Sequence, residues 1–259
     1  MAELAGYTVW VPTLMLVIFR VAGIFITAPL LSNAAVPVKV KAAMAIVVAL
    51  AVTARLAVPV TLPADWPTLV LGIGGEMLIG AALGFATNLM FMGVQMGAQQ
   101  IGQQMGIALA NVFNPLAEAT TNVMGTLFHL TAVAVFLAIG GHRMMLQGLL
   151  GSFEQVPLLG FAMRPAILEV VVGLMTAAFV LAVKVAAPVL VTLMLTSVAM
   201  GLIQRTMPQF NILSAGFQVR ILAAGLVLAV GVPSLIYLIE QGWAVTMRCV
   251  AQWFGAPAP

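Results

Sequence analysis

The chain has 259 residues, of which 63% are hydrophobic and only 7% are charged. A soluble domain carries roughly 25% charged residues, so this composition predicts an integral membrane protein. The formal net charge of +3 arises from scattered basic residues without a basic run, which gives nucleic-acid binding no support. Cys249 is the only cysteine, which excludes an intrachain disulfide and a cysteine metal cluster.

About six apolar runs are long enough to cross a bilayer, for which a helix needs roughly 20 residues. In chain order they cover residues 9–31, 42–62, 69–92, 123–141, 166–203 and 221–239. The first run is too long for the core of a signal peptide and follows Glu3, so we expect a retained span. Lys184 and Pro188 lie near the centre of the long fifth run and predict either two short arms or one kinked helix. The connections, including residues 142–165, are expected to be short. The fold class is therefore an all-α membrane protein with about six apolar helical segments, some of them kinked or hairpin-like.

Residues 93–106, GVQMGAQQIGQQMG, are unusual because they are strongly polar yet carry no charge. At 100° per residue, one helix face carries an apolar stripe formed by Val94, Ala98, Ile101 and Met105. The opposite face carries the glutamines Gln95, Gln99, Gln100, Gln103 and Gln104. Glycines border the stripe, Gly93 and Gly97 on one edge and Gly102 and Gly106 on the other, which predicts close packing of other backbones. We interpret this helix as lining a water-filled passage inside an assembly, while a bundled helix with hydrogen-bonded glutamines stays the alternative.

Four charged residues, Arg20, Glu76, Lys184 and Arg220, lie inside or at the edge of apolar runs. An isolated charge at the bilayer centre costs at least about 2.5–3.5 kcal/mol, so such residues usually face protein or water. Glu76 lies in a small-residue segment in which Gly80 and Gly84 form a GxxxG spacing, so its carboxylate should point into a protein interface. An arginine such as Arg20 would neutralise it there. We favour pairing with each other or with partner subunits over a proton relay, which needs several titratable groups in series.

Catalytic motifs are absent from the sequence, so no enzymatic activity, cofactor or metal is expected. His129 and His142 lack matching ligands for a metal, and His129 is expected to be a hydrogen-bonded core residue. The rival function is a secondary transporter of a small solute, which would require inverted repeats and a midplane site. Pro188 and Pro233 break apolar runs, but corresponding halves are not recognisable.

Three segments resemble the flagellar biosynthetic protein FliR family, including its type III secretion counterparts, and together they cover nearly the whole chain. The opening segment FRVAGIFITAPLLSNAAVPVKVKAAMA matches the family at Arg20, Gly23, Pro29 and Pro37. The central segment EMLIGAALGFATNLMFMGVQMGAQQIGQQMG matches at Glu76, Gly80, Gly84, Gly97, Gly102, Gln104 and Gly106. The segment APVLVTLMLTSVAMGLIQRTMPQFNILSAGFQVRI matches at Pro188, Gly201, Arg205, Pro208, Gln209 and Asn211.

The resemblance implies that residues 1–259 form a single subunit of the type III protein export gate in the bacterial inner membrane, within a flagellar basal body or an injectisome base. This subunit would join two smaller membrane proteins in a helical ring, with residues 1–165 resembling one partner and residues 166–259 the other. It would also contact the export switch protein and pass unfolded protein substrates.

The resemblance also implies a plug, formed by the loop that follows the glutamine helix, here residues 107–122. Asn114 and Pro115 would break a helix, and relatives often carry an Asp-Pro at this point. Phe113 and Leu116 have the bulk to fill a narrow lumen, and Glu118 begins a more polar stretch. A plain interhelical loop is the alternative.

Overall fold

A computed structural model describes residues 2–29, 31–32, 36–56, 59–60, 62–63, 65–107, 123–160, 166–207 and 212–254. The described residues form helices without a strand. The seven helices are α1 (Ala2–Thr27), α2 (Val38–Thr53), α3 (Trp66–Gln104), α4 (Val123–Ala138), α5 (Gly141–Gln155), α6 (Ala166–Thr206) and α7 (Ile212–Phe254). This all-helical architecture agrees with the fold class that the apolar runs predict.

Four of these helices contain segments long and apolar enough to cross a bilayer: Trp10–Thr27, Trp66–Gln104, Glu169–Thr206 and Gly216–Val250. The count becomes five if α4 and α5, a bent pair, are taken as one broken span. Three of the segments are much longer than the roughly 20 residues that one span requires.

The helix boundaries add three details to the sequence prediction. The apolar run at 69–92 and the glutamine segment form one continuous helix, α3. Of the two alternatives for the run at 166–203, the structure has one helix, with Pro188 inside it. The short connection at residues 142–165 contains a helix, because α5 occupies most of it. Gly140 precedes α5 with a φ of 74°, a left-handed conformation that glycine adopts without strain.

Two compact units are built from separate stretches of the chain. Unit 1 comprises Met1–Leu89, Gly140–Met175 and Val245–Pro259. Within it, α1 packs against α2. Its apolar core combines residues of α1, α3 and α5, among them Val17, Val21, Ile24, Ile79, Leu83, Leu149 and Phe153, which are all buried.

Unit 2 comprises Met90–Ile139 and Thr176–Ala244. An aromatic cluster connects three helices in this unit. The Phe91 ring of α3 meets the Phe136 ring of α4 edge-on at 5.5 Å, and Phe136 meets the Trp243 ring of α7 at 4.7 Å and 87°. Edge-to-face pairs of this kind add stabilisation beyond the apolar area that they bury.

The C-terminus of α3 is closed by a glycine cap. The N–H of Gly106 donates to the carbonyl of Gln103, and the N–H of Ile107 donates to the carbonyl of Gly102. Gly106 has a φ of 82°. This pair of bonds around a left-handed glycine is the Schellman arrangement, which satisfies the last carbonyls of a helix. The glutamine helix therefore ends at a defined point, immediately before the segment that the sequence assigns to a plug.

Candidate functional site

The charged centre of unit 1 is a fully buried ion pair between α1 and α3. Arg20 Nε donates to Glu76 Oε2 at 2.6 Å, and both side chains have no exposed surface. The structure thus brings together two of the four charges that the sequence places in apolar runs, 56 positions apart in the chain.

Neighbouring groups satisfy the remaining polar atoms of this pair. Arg20 Nη1 donates to the carbonyl and the hydroxyl of Ser152 in α5, at 3.0 and 3.1 Å. Arg20 Nη2 donates to the carbonyl of Val156, and Glu76 Oε1 accepts the backbone N–H of Leu159 at 2.9 Å. The guanidinium also lies 4.1 Å from the centre of the Phe153 ring. We call this set of residues the Arg20 cluster. The cluster connects α1, α3 and α5. A buried ion pair needs hydrogen bonds to its remaining polar atoms, because these offset the free-energy cost of removing both charges from water.

The GxxxG spacing in α3 is used for close helix packing, as the sequence predicts. A Cβ at Gly80 would collide with the carbonyl of Arg20, and one at Gly84 would collide with the hydroxyl of Thr27. From the other side, a Cβ at Gly23 of α1 would collide with the carbonyl of Met77. These glycines let the two backbones approach closely, which brings Arg20 within reach of Glu76.

The glutamine segment separates into the two faces that the periodicity predicts. Val94, Ala98, Ile101 and Met105 are at most 2% exposed. All five glutamines, Gln95, Gln99, Gln100, Gln103 and Gln104, are exposed. Gly97 is buried where α3 meets α6, and a Cβ there would lie 2.7 Å from the carbonyl of Ala182. We call the five exposed side chains the glutamine face. Gly102 is buried near the apolar stripe, while Gly106 belongs to the helix cap.

One member of the glutamine face has a side-chain partner on α4. Gln95 Nε2 lies 2.9 Å from His129 Nδ1, and the His129 ring lies 5.9 Å from that of Phe91. His129 is thus hydrogen-bonded, as its isolated position in an apolar helix predicts, but it is half-buried rather than a core residue. Gln95 and His129 line a polar recess of about 310 Å³ together with Gln99, Gly125 and Thr126. Groups of three or more metal-ligating side chains do not occur among the described residues.

The other predicted residues are not brought together. Lys184 is exposed on α6, and Arg220 is half-buried on α7 with its Nε buried and without a hydrogen-bond acceptor in the described structure. Arg205 is exposed in the last turn of α6. The predicted plug residues Phe113, Asn114, Pro115, Leu116 and Glu118 lie outside the described residues, as do Pro208, Gln209 and Asn211 of the C-terminal motif.

Sequence reasoning missed the contribution of α5 to the Arg20 cluster. Ser152 and Phe153 are buried, whereas Glu154 and Gln155 beside them are exposed. This amphipathic pattern was the available signal, because polar and apolar positions alternate at helical spacing along residues 141–155. The backbone groups of Val156 and Leu159 left no signal, since any residue type supplies a carbonyl or an N–H.

These features define an all-helical membrane protein that has a buried ion-pair core in one unit and an uncharged polar helix face in the other. Comparison with known families identifies it further. The family model described as bacterial export proteins, family 1, matches residues 11–245. The chain therefore belongs to this family of membrane proteins of the bacterial export apparatus.

Individual relatives agree with this assignment. The chain is 26% identical over 243 residues to the flagellar biosynthetic protein FliR of Bacillus subtilis (strain 168), covering 92% of each chain. It is 28% identical over 200 residues to the FliR protein of Escherichia coli (strain K12), covering 77% of this chain and 76% of the relative. It is also 28% identical over 167 residues to the Yop proteins translocation protein T of Yersinia pestis, covering 63% of each. The relatives thus include both flagellar and type III secretion proteins.

Proposed function

We propose that this export-apparatus subunit forms part of the conduit through which unfolded protein substrates cross the inner membrane, and that it performs no chemistry itself. It would do so in a hetero-oligomeric ring with two smaller membrane proteins of the same apparatus, in contact with the export switch protein. Residues 1–165 would take the position of one type of partner in this ring, and residues 166–259 that of the other.

The observation that carries this proposal is the glutamine face. Five uncharged polar side chains are exposed on one side of a helix whose opposite side is buried. Exposed amides are poorly suited to lipid, which offers them no hydrogen-bond partner. They are well suited to a wet passage for extended polypeptides, because amides both donate and accept hydrogen bonds and do not select for substrate charge.

The Arg20 cluster supports a structural role for the intramembrane charges. Arg20 and Glu76 are fully buried and hydrogen-bonded to their surroundings. A proton relay requires further titratable groups within reach, and the cluster contains only Ser152, backbone groups and an aromatic ring besides the pair itself. We therefore propose that the pair stabilises unit 1 and that the energy for export enters elsewhere in the apparatus.

Co-isolation tests the assembly. The tagged chain is expressed with its neighbouring membrane subunits and purified in mild detergent, and the composition and mass of the complex are measured. We expect a defined multi-subunit ring. A stable monomer that binds a small solute would contradict the proposal and favour the secondary transporter.

Membrane leakage tests the plug. We propose that residues 107–122, including Phe113, Asn114, Pro115, Leu116 and Glu118, close the resting conduit. Deleting residues 114–118 should leave the ring assembled but permeable to ions and small solutes, even without export substrate, because the barrier is steric. Phe113→Ala should give a weaker leak, since flexible methionines can partly fill the gap. Membrane conductance measures the leak in both variants. An assembled deletion ring as tight as the wild type would mean that the seal lies elsewhere.

A further inference from the structure

The outward side of α6 in unit 2 carries a long apolar stripe. Val180, Val191, Leu195, Val198 and Leu202 recur at helical spacing and are 45–65% exposed. The opposite side of the same helix is buried. Its residues are at most 4% exposed, namely Leu181, Val185, Val189 and Leu193. From residue 180 to residue 202 the stripe extends about 33 Å at 1.5 Å per residue, close to the thickness of a bilayer's hydrocarbon core.

A single cation interrupts this stripe. Lys184 is exposed and shares the helix face of Val180 and Val191. The nearest charged residues along α6 are Glu169 and Arg205, about 22 and 32 Å away at helical rise. A lysine side chain reaches water only when it lies near the end of a span, so lipid is an unsuitable neighbour for Lys184. Water is equally unsuitable for the large aliphatic side chains around it.

Pro188 removes a backbone hydrogen bond at the level of Lys184. Pro188 has no N–H and follows Lys184 by four residues, so the carbonyl of Lys184 lacks its normal helical donor. Pro188 is itself exposed. The helix thus loses a backbone hydrogen bond at the residue that also carries the cation, on a surface that is otherwise aliphatic.

Unit 2 offers no counter-charge for this lysine in the described part of the chain. Glu240, exposed on α7, is the only described carboxylate of the unit, and it forms no ion pair with Lys184. Arg220 likewise has a buried Nε without an acceptor among the described residues. The described part of the unit therefore presents more cations than anions and holds no counter-charge for Lys184.

We infer that the stripe from Val180 to Leu202 is a docking surface for an apolar membrane helix of a neighbouring, different subunit, and that this helix carries a carboxylate that pairs with Lys184. A protein partner with an acidic group satisfies both the aliphatic surface and the charge, which neither lipid nor water does. The inference rests on the proposed function, because it requires that the chain is assembled with other membrane subunits.

Substitution at Lys184 in the assembled complex tests the role of the charge. In Lys184→Met, the apolar stripe becomes continuous but the partner carboxylate is left buried without its cation. We expect recovery of the neighbouring subunit per tagged chain to fall by about ten-fold or more, because removing one member of a desolvated pair is costly. Lys184→Arg should retain recovery close to that of the wild type. Lys39→Met, which removes an exposed lysine at the start of α2, is the matched control and should have no effect.

Zero-length cross-linking tests the contact directly. A carbodiimide joins a lysine amine to a carboxylate in contact with it, and mass spectrometry identifies both peptides. We expect an amide link from Lys184 to an acidic residue in an apolar segment of another subunit, and we expect it to be absent in the assembled Lys184→Arg complex.

Three results would overturn the inference while leaving the proposed function intact. They are a Lys184→Met complex as complete as the wild type, a wild-type complex without a Lys184 cross-link to another subunit, and a cross-link from Lys184 to Glu169 or Glu240 of a second copy of this chain. A wild-type chain that brings down no other subunit would instead overturn the proposed function, and the inference with it.

Discussion

The Arg20 cluster makes Glu76→Gln the most informative single substitution in the chain. Glu76 uses both carboxylate oxygens, since Oε2 accepts from Arg20 Nε at 2.6 Å and Oε1 accepts from the N–H of Leu159 at 2.9 Å. Glutamine has nearly the same shape but only one oxygen. Its amide group must therefore turn an N–H towards one of the two donors, and Arg20 loses its counter-charge in a site with no exposed surface.

The expected loss of stability is large. Removing one partner from a buried, hydrogen-bonded ion pair costs about 3–5 kcal/mol. For a chain of this size, a loss of 1 kcal/mol lowers the midpoint of thermal unfolding by about 2–4 °C, so we expect Glu76→Gln to lower it by about 10 °C. Glu154→Gln is the control, because Glu154 is exposed on α5 only two residues from Ser152. Its effect should stay within about 0.5 kcal/mol.

The assay is thermal denaturation of the complex in mild detergent, followed by fluorescence-detected size exclusion. The double variant Arg20→Met/Glu76→Met should be less destabilised than the sum of its single variants, because neither charge is then buried alone. Additive effects, or a Glu76→Gln complex as stable as the wild type, would refute a structural pair. A fully assembled and stable Glu76→Gln complex that loses only proton-driven export would assign Glu76 to a relay.

Further predictions concern glycines at helix contacts. Gly80→Ala should lower the stability of the complex by about 1–3 kcal/mol, because the new Cβ meets the backbone of α1. Gly74→Ala in the same helix is the control. Its added carbon has no atom within 4 Å, so this substitution should be neutral or slightly stabilising. Gly97→Ala should reduce recovery of the assembled complex, since its Cβ would lie 2.7 Å from the carbonyl of Ala182 in α6. Gly225→Ala in α7 is the control and should not reduce recovery, because no atom lies within 4 Å of its added carbon. The thermal midpoint and the yield of the complex are measured for each variant and its control. Equal values for a variant and its control would contradict the close-packing role of that glycine.

Local patterns predicted much of the glutamine helix and its packing. The spacing of Val94, Ala98, Ile101 and Met105 predicts a buried stripe, and all four are buried. The prediction succeeds because helix geometry places residues three and four apart on one face, whatever the helix packs against. The GxxxG spacing of Gly80 is equally local, since the absence of a side chain permits close approach by any neighbouring helix.

Hydropathy was less able to set the limits of the helices. A continuous apolar pattern does not distinguish one long helix from two, so the continuity of α6 through Pro188 was left open. In α3, the composition changes from apolar to glutamine-rich, yet one helix continues through the change. Polarity changes the environment of a helix, but it does not interrupt the backbone hydrogen bonds that extend it.

The sequence by itself therefore determined the class of protein and the faces of its glutamine helix, because these depend on composition and on short-range periodicity. The family was indicated separately, by the resemblance of three segments to known members. The sequence named an arginine such as Arg20 for Glu76, but only the tertiary structure decided that pairing and the other partners of Arg20. Glu76 and Ser152 lie 56 and 132 positions from it, and two of its acceptors are carbonyl groups that every residue possesses. A buried charge requires compensation, but which groups supply it depends on how distant helices pack, and that information is not contained in any local pattern.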